Sequence, residues 1–137
     1  METCRNFLNL FSEINWLWFA ISVIVAYAAG AVWFTFIFKN AWIRVFKIEM
    51  PEKVKPVGAI LTMTIQLFVT ALFGLMFFVL VPISKMISVF VLVSFCGWQK
   101  GTLKFRYSNW KEFFTAAIVE VGYTFIVGVI FFLFALL

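Results

Sequence analysis

The sequence predicts an all-α integral membrane protein, a bundle of four transmembrane helices with both termini outside. Three observations predict it. Apolar residues make up 65% of the 137, and the mean hydropathy is +1.08, well above what soluble domains carry. The 11 Lys or Arg and six Asp or Glu cluster between long apolar runs. Four of those runs approach or exceed the ~20 residues that a helix needs to cross ~30 Å of hydrocarbon. The chain is expected to form a single membrane domain over 1–137.

Near the N-terminus, Phe7, Leu8, Leu10, Phe11 and Ile14 are spaced for a short surface helix. The first span covers about 15–38. Ala26, Tyr27 and Ala28 match the A-x-A pattern of a signal-peptide cleavage site. The apolar sequence continues past it through GAVWFTFIF, however, so the run is long enough to span. In the following stretch, KNAWIRVFKIEMPEKVKP, the apolar Trp42, Val45 and Phe46 recur at helical spacing while Lys39, Arg44 and Lys47 can face water. That pattern suits a short helix lying on the membrane and ending before Pro51.

The second span covers about 57–81, and Pro82 and Ser84 suit a tight turn after it. The third, about 83–98, is the shortest: Lys85 lies near its start and must snorkel, and the uncharged run from Met86 to Gln99 has only 14 residues. In KGTLKFRYSNWKEFF, Asn109 followed three residues later by Glu112 resembles a capping box that opens the fourth span, about 113–136. Trp16, Trp33, Trp42, Trp98 and Trp110 fall near the ends of spans, where aromatic belts form.

Charge sets the expected direction. With four spans, Arg5 and Lys85 share one side with both termini, and the other nine Lys and Arg occupy the two long loops. Nine against two places the loops in the cytoplasm. The net charge of +5 is therefore read as orientation and headgroup contact, not as a nucleic-acid surface, because the aromatic residues lie within and beside apolar runs.

Small and weakly polar residues at helical spacing mark expected contact faces. They are Ser22, Ala26 and Gly30 on the first span, Gly58, Thr62, Gln66, Thr70 and Gly74 on the second, and Ala116, Glu120, Thr124 and Gly128 on the fourth. Spacing of four drifts ~40° per step, so only the central members of the five can share a face. On the fourth span Phe114, Ile118, Val121, Phe125, Val129 and Phe132 form the complementary apolar stripe, expected to face lipid. Glu120 is then expected to point inward. No Lys or Arg lies at its depth, so its carboxyl is expected to hydrogen-bond with Gln66, Thr62, Tyr27 or Tyr123.

Catalytic and cofactor chemistry find no motif. There is no His, Cys4 and Cys96 have no metal or redox spacing, and HExxH and G-x-S-x-G are absent. No cofactor is expected.

Several residues together resemble a known family, the bacterial and fungal membrane proteins grouped as domain of unknown function 1761. They are Asn15 and Trp16, then Gly30, Trp33 and Phe34 followed by Lys39 and Trp42, and late in the chain Gly122 and Tyr123. The resemblance covers almost the whole chain and implies four spans. Thr124 stands where relatives often have His, and Glu120 where they often have Asn or Asp. The family carries no established activity, so the resemblance implies a fold and assigns no reaction. The expected function is that of a small, non-enzymatic bundle of the bacterial cytoplasmic membrane, an accessory, scaffold or lipid-contacting protein whose partners are lipids, itself or another membrane protein. The alternative is a small proton-coupled transporter or ligand-binding protein using Glu120.

Overall fold

The computed structural model describes residues 9, 11–47, 56–106 and 109–137, and among them it is all-helical, without a strand. Helix α1 is Trp16–Val32, and a π-helical turn, Trp33–Ile37, carries it to a break at Phe38. Helix α2 is Lys39–Phe46, α3 is Pro56–Ile83, α4 is Lys85–Arg106 and α5 is Trp110–Phe134. Of the expected N-terminal surface helix, Phe7, Leu8 and Leu10 lie outside the described residues, while Ile14 is buried.

The boundaries have local causes. The Asn15 side chain accepts from the Trp18 N–H at 3.3 Å and caps α1; Asn109 accepts from the Lys111 N–H at 2.9 Å and caps α5, with Glu112 in its first turn. Both satisfy an N–H that the helix itself cannot. Helix α2 stops at Lys47, whose φ of 49° is left-handed. Pro82 stands one residue before the end of α3, and Ser84 then caps α4 by accepting from the Ile87 N–H at 3.3 Å.

Three helical segments are long and apolar enough to cross a membrane: Trp16–Ile37, Ile60–Ile83 and Trp110–Phe134. The apolar part of α4, Lys85–Gln99, is shorter, because Lys100, Lys104 and Arg106 make the rest of that helix basic. Large apolar side chains such as Ile24, Leu61, Phe68 and Phe90 are each at least 60% exposed, a surface better suited to hydrocarbon than to water.

Side-chain contacts fix the directions. Along α1 and α3, Phe19 packs edge-on against Phe78 while Tyr27 reaches Met63, so the two run antiparallel. Along α1 and α5, Trp18 meets Phe134 and Gly30 meets Tyr123, again antiparallel. Leu92 of α4 lies on Gly128, and Cys96 borders Val121 and Phe125, which sets α4 against α5 in the same sense.

The main core joins Val23 and Ala26 of α1 to Phe77 and Phe78 of α3, Leu92 of α4 and Val127 and Phe131 of α5. A smaller cluster seats Val45 of α2 on Phe113 and Ala116 of α5. Ser22, Ala26 and Gly30 are buried, as are Ala116, Thr124 and Gly128. The α3 series divides: Thr70 and Gly74 are buried, whereas every residue from 60 to 69, Thr62 and Gln66 included, is exposed. The α5 stripe divides too, since Phe114, Ile118 and Phe125 are exposed but Val121, Val129 and Phe132 are half-buried. The reason is that Val129 and Phe132 pack against the main core and Val121 against the α2 cluster. The buried hydroxyls turn back on their own helices: Ser22 donates to the Phe19 carbonyl at 2.7 Å, Thr70 to Gln66 at 2.8 Å, Ser88 to Ser84 at 3.0 Å and Thr124 to Glu120 at 3.1 Å. Each group satisfied this way can leave water without an orphaned donor.

Candidate binding cleft

In a regular α-helix adjacent residues point ~100° apart. The π turn, closed by the Phe38 N–H to the Trp33 carbonyl at 2.8 Å, widens the helix locally and lets both Trp33 and Phe34 face the interior. Trp33 donates its indole N–H to the Val119 carbonyl at 2.9 Å. Its ring covers Gly122, where a Cβ would come within 3.1 Å. The arrangement is reciprocal: Tyr123 of α5 covers Gly30 of α1, where a Cβ would lie 2.8 Å from the phenol oxygen. Phe34 then packs edge-on against Tyr123, ring centroids 4.9 Å apart, and against Trp42 at 5.6 Å. Two of the five tryptophans expected at the membrane interface, Trp33 and Trp42, are therefore turned inward and half-buried, while Trp16, Trp98 and Trp110 are 53–75% exposed.

These aromatic residues border a cleft of about 500 Å³, whose walls are Tyr27, Gly30 and Phe34 from α1 and its π turn, Trp42 from α2, Thr62 and Gln66 from α3, and Tyr123 from α5. Ala31, Thr35, Thr62 and Met63 also line it and are exposed, so its mouth opens between α1 and α3. The volume lies within the ~300–1,000 Å³ typical of small-molecule sites, and apolar walls with a few placed polar groups are their usual chemistry.

The polar groups are uncharged. The Tyr27 hydroxyl donates to the Met63 carbonyl at 3.4 Å, and the Thr62 hydroxyl to the Gly58 carbonyl at 2.9 Å. The side chains of Gln66 and Thr70 lie near the Tyr123 hydroxyl. Hydroxyl oxygens that donate retain lone pairs, and the Gln66 amide offers both a donor and an acceptor. The cleft can therefore orient a neutral polar group while burying an apolar body. Among the described residues no three His, Cys, Asp or Glu side chains gather as a metal site.

Of the residues singled out in the sequence, Tyr27, Thr62, Gln66, Thr70 and Tyr123 come together here. Glu120 is half-buried on α5, with Ala116 one turn before it and Thr124 and Val127 after it, all three of them buried. The cleft-lining residues do not include it. Phe34, Trp42 and Met63 are cleft residues that spacing alone did not single out as a site; the signal available was the Gly30-x-x-Trp33-Phe34 pattern followed by Trp42. Cys96 is a half-buried free thiol beside a shallower groove lined by Phe114, Val121 and Phe125. No family model matches the chain, and neither a curated protein nor a solved structure gives a significant match.

Proposed function

We propose that this protein is a non-enzymatic membrane bundle that binds an amphipathic small molecule entering sideways from the bilayer. The observation that carries the reading is the cleft mouth. Ala31, Thr35, Thr62 and Met63 are exposed, and all four lie inside segments long and apolar enough to cross a membrane. A cleft that opens there faces lipid, so its occupant arrives dissolved in lipid. The same reading takes α4 as a fourth, shorter span with Lys85 snorkelling. It places both termini outside a bacterial cytoplasmic membrane, on the strength of nine Lys and Arg against two. Gly30, Phe34, Trp42 and Tyr123, four of the residues on which the resemblance to the domain of unknown function 1761 proteins rests, line the cleft.

The test uses Trp33 and Trp42 as reporters, with the other four tryptophans changed to Phe. In nanodiscs, lipids brominated on the acyl chain should quench their fluorescence, and Ala31→Phe or Thr62→Phe, which fill the mouth from exposed positions, should protect them. Equal quenching with the mouth filled refutes the cleft as a binding site.

Proton-coupled transport is a second reading, favoured by one observation: an acid at the centre of the buried face of α5, between Ala116 and Thr124. Glu120→Gln would then bind ligand normally yet lose pH-dependent flux in proteoliposomes. Unchanged flux removes that reading.

A further inference from the structure

The cleft has walls but also an edge, and the edge is basic. Helix α2 is held by Val45, 6% exposed, seated on Phe113 and Ala116 of α5. That anchoring fixes which way the rest of the helix points. Trp42 lines the cleft. Lys39 precedes Trp42 by three residues, so it lies one turn away on the same side of the helix. It also stands just past Phe38, the residue that ends the π turn supplying Phe34 and Thr35 to the wall. Arg44, two residues after Trp42, projects from the far side. Lys39 and Arg44 are both exposed, Lys47 follows at the end of the helix, and α2 contains no acid.

We infer that the cleft is built for an anionic glycerophospholipid, with an acyl chain between α1 and α3 and the phosphate on the Lys39 ammonium. The inference rests on reading the cleft as a site for amphiphiles and adds the class of ligand. The described lining is uncharged and largely apolar, which accepts a hydrocarbon chain and offers no group to neutralise a charge. Lys39, at the membrane-surface end of the same wall, supplies that charge. Lysine is a compact point charge on a flexible stem, suited to following a phosphate at the headgroup level. Trp42, beside it, lines the cleft, and tryptophan suits the headgroup level because it joins an apolar ring to a polar N–H.

The experiment is native mass spectrometry of the full-length protein, delipidated in neutral detergent and titrated with phosphatidylglycerol or phosphatidylcholine of identical chains, or with inorganic phosphate. One phosphatidylglycerol should be retained about fivefold more strongly than phosphatidylcholine, the scale of one Lys beside an anionic headgroup. Lys39→Gln should bring that ratio to about one, whereas Arg44→Gln, a charge change of equal size facing away from the cleft, should leave it within about twofold. Persistence of the preference in Lys39→Gln overturns the inference, and so does an equal loss in Arg44→Gln, which would mean a diffuse basic surface. Retention of inorganic phosphate alone at the same concentrations would also overturn it, since the acyl chain would then play no part. Ala31→Phe and Thr62→Phe should weaken both lipids together. If both lipids still bind those variants with full strength, the cleft reading itself fails, an outcome distinct from loss of headgroup preference in the parent.

Discussion

Replacing Gly74 by alanine drives a methyl group into the ring of Phe131. A Cβ at this position would lie 2.6 Å from the Phe131 Cζ, whereas non-bonded carbons settle at ~3.5–4.0 Å. The ring therefore has to retreat by about 1 Å. It has nowhere to go. Phe131 is 0% exposed, stacked on Phe77 with centroids 6.5 Å apart and met edge-on by Phe73 at 6.3 Å. Overpacking of this kind costs ~1–3 kcal/mol, partly offset by the ~1 kcal/mol that alanine gains over glycine in a helix. The expected result is a net loss of about 0–2 kcal/mol, which sets Gly74→Ala about 1–3 kcal/mol below a glycine-to-alanine change that meets no neighbour. Gly97 is the control: nothing stands within 4 Å of a Cβ there, so Gly97→Ala should be neutral or stabilising by up to ~1 kcal/mol. The measurement is unfolding of both variants in the same detergent, by temperature and by an SDS titration. If Gly74→Ala is as stable as Gly97→Ala, the packing of α3 against α5 is not as described.

Three further outcomes are expected. Trp33→Phe keeps a ring over Gly122 but removes the donor to the Val119 carbonyl, and should cost ~0.5–1.5 kcal/mol by the same unfolding measurement; no loss would mean that the indole N–H does not bridge α1 and α5. Glu120→Gln should nearly preserve stability, because it keeps the size and a carbonyl oxygen, while Glu120→Ala should lower it by ~1 kcal/mol or more; equal values for the two would leave the carboxyl without a structural role. Asn40→Cys, in a Cys-free background, should be labelled by an impermeant thiol reagent only after the membrane is opened, and labelling of intact cells would reverse the proposed orientation.

What the sequence makes legible follows from what acts locally. Apolar runs of sufficient length announce α1, α3 and α5, since a spanning helix must satisfy its backbone by itself. Asn109 with Glu112, Phe38 to Lys47 and Pro82 with Ser84 likewise carry their boundary signals within a few residues. The small-residue periods on α1 and α5 point to faces that are buried, because both helices pack along most of their length. The period on α3 misleads for its first half. Periodicity reports a potential face, and whether Thr62 and Gln66 are covered depends on how far the neighbouring helices reach. The inward turn of Trp33 and Phe34 is equally hidden, since it depends on a π turn that shifts two adjacent residues toward one side. The polar residues of the site are visible as a set of similar depth, but their grouping around the Tyr123 hydroxyl depends on which side chain reaches α3.

The grouping at Tyr123 has a steric setting. Tyr123 lies on Gly30, where the missing side chain leaves room for the phenol, and Trp33 lies on Gly122, so α1 and α5 are locked together by two rings each seated on the other helix's glycine. Seated there, Tyr123 extends toward α3, where Gln66 and Thr70 approach its hydroxyl. Toward the other end of the helices, Phe77, Phe78 and Phe131 fill the equivalent space and the core is shut. Tyr123 thus lines the cleft at the level where its ring covers Gly30. Unfilled volume inside packed helices is costly, ~24 cal/mol per Å³ where cavities have been made in protein cores, and a lateral mouth gives the bilayer direct access to relieve that cost. On the proposed reading an acyl chain would satisfy the apolar walls, which a water-borne solute would not.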